Sequence, residues 1–235
     1  MAAPRPILIH GSGGDHRVFA RQAERFGGSV AIDLPGHPEG DPAAGLAAAA
    51  AALGPALESI DGPRVLVGHS LGGAVSLEVA RARPELVDGL VLIATGARLP
   101  VPDRVLARAE AEPGGEIDRL MAGFFADPDH PSAEAVRRAL ADCGPRTLLA
   151  DYRMCAAIDL RGRLDGVRVP ALVIAGGDDR LTPVWLGEEL ARELPAARMA
   201  VVAGAMHMVM AEHPGPVNLL LAGYLARLEL TLDGA

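Results

Sequence analysis

The sequence predicts an α/β fold: a mainly parallel, six-stranded sheet flanked by helices. Three observations carry this. Short apolar runs recur along the chain, and they are continuous rather than alternating, as strands buried on both faces require. Helix-like segments separate them, which argues for strand-helix alternation. And Gly68-His69-Ser70-Leu71-Gly72 stands where the apolar run Val65-Leu66-Val67 gives way to a helical stretch, the setting in which a serine is held on a sharp strand-to-helix turn with its hydroxyl free.

The elements follow in order. Ile7-Leu8-Ile9 is a first strand, and the glycine-rich His10-Gly11-Ser12-Gly13-Gly14 follows it. A helix is expected over about 16 to 26, with Asp15 as its N-cap. Val30-Ala31-Ile32 is a second strand, and an alanine-rich helix covers about 43 to 59. Val65-Leu66-Val67 enters the serine turn, and a helix over about 73 to 83 leaves it. Leu90-Val91-Leu92-Ile93, Ala171-Leu172-Val173-Ile174 and Met199-Ala200-Val201-Val202 supply the remaining strands, with helices at about 184 to 193 and 214 to 228. Between about 98 and 167 no strand pattern appears. That interval is too long for an ordinary loop. It is expected to be a helical cap inserted after the fourth strand, so that residues 1–97 and 168–235 form the core of a single 1–235 domain.

Composition narrows the function. The formal charge is 22 − 30 = −8 with no basic block, which excludes nucleic acid as an expected partner. All basic residues are arginine and none is lysine, which together with the alanine content reads as the codon bias of a GC-rich, bacterial genome. No apolar run approaches a membrane span, and the start, Met1 to Pro6, carries no signal-peptide pattern. A soluble cytoplasmic protein is expected. Cys143 and Cys155 fall in no metal-ligand spacing and read as buried free thiols, with a disulfide as the alternative.

A serine nucleophile needs a base to take its proton and a third group to orient that base. In a parallel sheet, candidates belong at the carboxyl ends of strands. Two segments qualify: Gly176-Gly177-Asp178-Asp179-Arg180-Leu181-Thr182-Pro183, and Gly204-Ala205-Met206-His207. The chain order serine, acid, histidine is that of hydrolases with a serine elbow, not of chymotrypsin or subtilisin. The glycines of residues 11–14 do not form a phosphate loop, which would need a lysine.

With His10 to Gly14, Asp33-Leu34-Pro35-Gly36-His37, Val67 to Gly73, Gly176 to Pro183 and Gly204 to His207 in this sequence, the chain resembles the α/β-hydrolase superfamily, in its serine-nucleophile, esterase-like branch. The resemblance runs from about Ile7 to the C-terminus. It implies Ser70 as nucleophile, His207 as general base and then acid, and Asp179 as the orienting carboxylate, with Asp178 holding the turn. It implies an oxyanion hole from the Leu71 and Ser12 N–H groups, with Gly13 as the alternative to Ser12. His10 would brace that loop, His69 fills the variable position of the elbow, and Asp33 is structural. The family's Gly-x-Ser turn after Gly36-His37 is replaced here by Pro38-Glu39-Gly40-Asp41. The residues before Ile7 are too few for the family's N-terminal hairpin, which puts Val30 to Ile32 at a sheet edge, covered or paired in a dimer; monomer and homodimer are both open.

An apolar pocket is expected, with Leu120, Met121, Phe124, Phe125, Met206, Met208 and Met210 as candidates and Arg137, Arg138 and Arg153 as possible contacts for anionic groups. The expected activity is hydrolysis of small-molecule carboxylic esters through an acyl-enzyme, with no metal or organic cofactor. Lactone, thioester or carbon–carbon bond hydrolysis on the same residues, or non-catalytic ligand binding, are the alternatives.

Overall fold

The computed structural model describes residues 3–112 and 115–234. Strands β1 (Arg5–Ile9), β2 (Val30–Ile32), β3 (Arg64–His69), β4 (Gly89–Ile93), β5 (Ala171–Gly176) and β6 (Ala197–Val202) form one sheet. Its order is β2-β1-β3-β4-β5-β6, and every neighbouring pair is parallel.

The continuous apolar runs have a simple cause. Alternate residues of a strand face opposite sides, and here both sides are core. Ile7, Ile9, Leu66, Leu90, Leu92 and Val173 belong to one apolar cluster. Their neighbours Leu8, Val65, Val67, Val91, Ile93, Leu172 and Ile174 belong to the other. The first cluster is closed by α2 (Leu46–Glu58), α3 (Leu71–Ala82) and α7 (Val184–Glu193). The second is closed by Val18 and Phe19 of the turn before α1 (Ala20–Arg25), by α8 (Val209–Glu212) and α9 (Pro214–Asp233), and by the helices between β4 and β5.

That interval holds α4 (Asp103–Ala111), α5 (Glu116–Phe124) and α6 (Ala133–Ala157). Among its described residues, the one strand-like feature is an isolated bridge between Arg98 and Asp159. α6 is broken at Gly144 (φ 74°, ψ 166°), and Pro145 opens its second half. The first expected helix is divided: residues His16–Phe19 form a 3-10 turn before α1, and Asp15 caps that turn by accepting from the Arg17 N–H. β2 stands at an edge as expected and is only three residues long, which limits what it offers to another strand. Among the described residues, no helix is long and apolar enough to cross a membrane.

Sheet order positions the site. β1 pairs with β2 on one side and β3 on the other, so the loops leaving β1 and β3 diverge and open a crevice at the carboxyl edge.

Candidate active site

Ser70 sits between β3 and α3 with φ 51° and ψ −116°, a backbone region that a side chain rarely occupies and that stores about 1–3 kcal/mol. The neighbours enforce it. A Cβ on Gly68 would lie 2.4 Å from the Gly72 carbonyl oxygen, and a Cβ on Gly72 would lie 2.3 Å from the carbonyl oxygens of Ile9 and His10. The turn is therefore wedged against β1, and only glycine permits the approach. Ser70 N–H donates to the Ile93 carbonyl at 2.9 Å, and the Thr95 hydroxyl donates to the Ser70 carbonyl at 2.7 Å.

Asp179 and His207 come together from the loops after β5 and β6. His207 Nδ1 donates to Asp179 Oδ2 at 2.8 Å. The other carboxylate oxygen accepts from the Leu181 and Thr182 N–H groups at 2.8 and 3.0 Å. The Thr182 hydroxyl donates to Oδ2 at 2.6 Å. Burial opposes the charge on Asp179, but the His207 imidazole and the Thr182 bonds outweigh it and hold the carboxyl down at about 2. Asp178 points to solvent and no side-chain hydrogen bond to it occurs among the described residues; the turn is held by Asp179 itself, and Asp178 contributes its N–H to the Ala205 carbonyl at 2.9 Å. The expected division of labour between the two aspartates is corrected in that respect.

Ser12, Ser70 and His207 line one cavity of about 280 Å³. Ser70 is buried, and its hydroxyl makes no hydrogen bond among the described residues. Leu71 is fully buried and opens α3, where the first N–H groups have no intrahelical acceptor. In the loop after β1, Gly14 N–H donates to the Gly11 carbonyl and Gly13 N–H to Asp151 Oδ2 at 2.8 Å. The Ser12 N–H has no such partner among the described residues.

The histidines around the site have distinct jobs. His10 Nδ1 donates to the Gly11 carbonyl at 2.8 Å and its Nε2 accepts from the Leu34 N–H at 2.9 Å, so it is neutral and braces the loop. Burial, followed by the nearby His37, lowers it to about 4. His69 does more than fill a variable position. Its Nε2 donates to the His207 carbonyl at 3.1 Å, tying the serine turn to the histidine loop. Burial and then His207 push it down to about 3. Asp33 accepts from the His16 N–H at 2.6 Å, which is a structural use.

Of the apolar candidates, Leu120, Phe124 and Met208 line the cavity, and Phe124 stacks on the His207 ring with centroids 5.5 Å apart. Met121, Phe125, Met206 and Met210 are buried elsewhere. Arg137, Arg138 and Arg153 pair with Asp118, Glu134 and Glu110 on the surface. Arg108 and Arg119 reach the cavity wall instead, both bonded to the buried Glu116 at 2.8 and 2.9 Å. Cys143 and Cys155 are free and buried. Among the described residues, no group of three or more His, Cys, Asp or Glu is placed to hold a metal ion.

Comparison with known proteins identifies the family. The profile of the alpha/beta hydrolase family matches residues 7–218. The chain is 33% identical over 233 residues to a pimeloyl-[acyl-carrier protein] methyl ester esterase of Neisseria meningitidis serogroup B, covering 90% of this chain and 89% of the relative. It is 32% identical to the protein of the same description in Aromatoleum aromaticum, over 94% of this chain and 98% of that one. A solved structure of a thermophilic esterase superposes with a TM-score of 0.84 at 32% identity, covering 95% and 90% of the two chains. An enol-lactonase from Burkholderia xenovorans LB400 superposes with a TM-score of 0.86 at 21% identity, a likeness of fold alone. The six parallel strands, the serine turn and the match across residues 7–218 have one reading: the chain belongs to the alpha/beta hydrolase family.

Proposed function

We propose that this protein hydrolyses small-molecule carboxylic esters through a Ser70–His207–Asp179 triad and an acyl-enzyme. The observation that carries the reading is the 2.8 Å bond from His207 Nδ1 to Asp179, made at the wall of a cavity that Ser70 also lines. That bond fixes the tautomer with a bare Nε2, the form able to take a proton from a serine hydroxyl.

In this mechanism Ser70 Oγ attacks the acyl carbonyl and His207 takes its proton. Asp179 keeps the imidazole oriented and stabilises the imidazolium that forms. The developing oxyanion accepts from the N–H groups of Leu71 and Ser12. His207 returns its proton to the leaving alcohol, then activates water to release the acid. The choice of Ser12 over Gly13 is supported by the commitment of the Gly13 N–H to Asp151.

The helices α4 to α6 act as a cap over the site, since Val105, Leu120, Val136, Leu140 and Tyr152 all face the cavity. The lining is largely apolar, and the volume of about 280 Å³ lies at the small end for ligand pockets. Small to medium acyl chains fit that description. The relatives named as methyl ester esterases make simple alkyl esters the first substrates to try.

The test is steady-state hydrolysis of p-nitrophenyl esters from acetate to decanoate, by wild type and Ser70→Ala. Multiple turnovers that vanish in Ser70→Ala are expected, with an optimum at short or medium chains. No turnover by the wild type on any ester would overturn the proposal.

A further inference from the structure

Asp151 lies on the second half of α6, outside the proposed triad, and is 2% exposed. Its Oδ2 accepts two hydrogen bonds, from Gly13 N–H at 2.8 Å and from His37 Nε2 at 2.9 Å. The protonation of His37 follows from its neighbours. Its Nδ1 approaches the carbonyl oxygens of Leu34 at 3.2 Å and Pro35 at 3.1 Å. Carbonyl oxygens only accept, so Nδ1 carries a proton, and Nε2 facing a carboxylate oxygen carries one as well. His37 is therefore an imidazolium, and the pair is a buried ion pair.

α6 presses on the same loop with three further residues. Gly13 has φ +66°, and a Cβ there would lie 2.8 Å from Leu140 and 3.0 Å from Leu148. One turn beyond Asp151, Cys155 Sγ lies 3.4 Å from the Ser12 hydroxyl. Cys155 and its neighbour Tyr152 also line the substrate cavity.

A buried ion pair is weak as a source of stability alone, because apolar replacements often do as well. What it supplies is geometry. With its charge balanced by His37, Asp151 is a strong, fixed acceptor, and it takes up the N–H adjacent to the donor proposed for the oxyanion.

We infer that Asp151, with His37 as its counter-ion, is a positioning residue for the oxyanion hole: by holding the Gly13 N–H it fixes the loop that presents the Ser12 N–H to the reacting carbonyl. This rests on the esterase reading above.

Two substitutions separate this role from a structural staple. Asp151→Asn can place its carbonyl oxygen where Oδ2 stands, still accepting from the Gly13 N–H and from His37 Nε2–H, and so removes only the charge. Asp151→Ala removes the acceptor. Loss of an oxyanion donor costs about 10²–10³ in kcat, and a displaced donor loses part of that. Asp151→Ala is expected to lose about 10–100-fold in kcat with KM within about twofold, and to bind an alkylboronic acid, which mimics the tetrahedral state, more weakly by a similar factor. Asp151→Asn is expected to stay within about threefold of wild type in both. Hydrogen exchange of the wild-type Gly13 amide, read by NMR, needs no variant to fold and is expected to be slow.

Wild-type kcat and boronate affinity in Asp151→Ala would overturn the inference. So would equal losses in the two variants, a change in KM alone, or a Gly13 amide that exchanges as fast as an exposed loop. Absence of serine-dependent turnover in the wild type would instead overturn the esterase reading, and this role with it.

Discussion

Replacing Asp179 by asparagine tests the proposed chemistry at one atom. Oδ1 accepts from two backbone N–H groups, Leu181 and Thr182, so an amide NH₂ cannot occupy that position. It must take the place of Oδ2, where His207 Nδ1 stands 2.8 Å away. An NH₂ there donates to Nδ1 and moves the ring proton to Nε2, which leaves no base facing Ser70. In triads generally this wrong tautomer costs about 10⁴ in kcat. Here the Thr182 hydroxyl, 3.2 Å from His207 Nδ1, offers a second acceptor that preserves a fraction of the productive tautomer. The expected loss is therefore about 10³-fold in kcat with little change in KM, and Thr182→Val on the same background should deepen it toward about 10⁴. The variant should also be less stable. A carboxyl held at about 2 instead of 3.8 represents about 2–3 kcal/mol at neutral pH. The assay is p-nitrophenyl butyrate hydrolysis with active-site titration, beside Asp178→Asn as control. Asp178 is exposed, and its variant should match wild type. An Asp179→Asn enzyme that keeps more than about a tenth of its kcat, or a larger loss in Asp178→Asn, would refute the reasoning.

Further outcomes follow from the same contacts. The Asp179 carboxyl is lowered, so its stabilisation is fully present above the ordinary 3.8 and is lost as pH falls through about 2. His37 behaves oppositely: burial works against its charge, but Asp151 and then Cys143 outweigh it and raise the group to about 10, so its contribution is complete below 6.5 and is lost as pH rises through about 10. Urea midpoints across pH should show both limbs, with the alkaline one reduced in His37→Gln. Gly72→Ala places a Cβ 2.3 Å from two carbonyl oxygens and should cost more than about 3 kcal/mol or prevent folding, whereas Gly215→Ala, with nothing within 4 Å, should leave the melting temperature unchanged or slightly raised. Tyr224→Phe removes the hydroxyl that donates to the Pro170 carbonyl and accepts from the Leu90 N–H; those two groups still bond each other at 3.0 Å, so the expected loss in denaturant unfolding is about 0.5–1.5 kcal/mol.

The sheet could be read from the chain because its strands are buried on both faces. A run such as Leu90-Val91-Leu92-Ile93 feeds two cores at once, so it has no polar alternate to blur it. The Val30–Ile32 and Val184–Glu193 boundaries match the expectation residue for residue. Where the reading fell short, the cause is local. The helix expected from residue 16 starts as a 3-10 turn because Asp15 caps it tightly, through both the N–H and the side chain of Arg17. α6 carries a break at Gly144-Pro145, and that break sets which face of its second half points inward. No periodicity computed across the whole interval contains that rotation.

The site divides along the same line between local and long-range information. Ser70 directly follows β3, and Asp179 and His207 stand in the loops after β5 and β6, so position in sequence already places them at one edge. Their supports do not follow that rule. Thr182 acts on Asp179 from within a turn, and a threonine before a proline carries no signal of that use. His69 needs the carbonyl of a residue 138 positions away, and His37 needs a carboxylate 114 positions away. Arg108 and Arg119 face the cavity while Arg137, Arg138 and Arg153 do not, a difference set by how α4, α5 and α6 pack. These contacts join the inserted helices to the loops after β1 and β2 at glycines with positive φ: Gly13 against Leu140 and Leu148, Gly36 against Thr147. Such a junction accepts little rearrangement, because any larger residue at either glycine would be both strained and in collision. The α6 segment that lines the cavity and the loop that carries Ser12 are thus built as one packed unit.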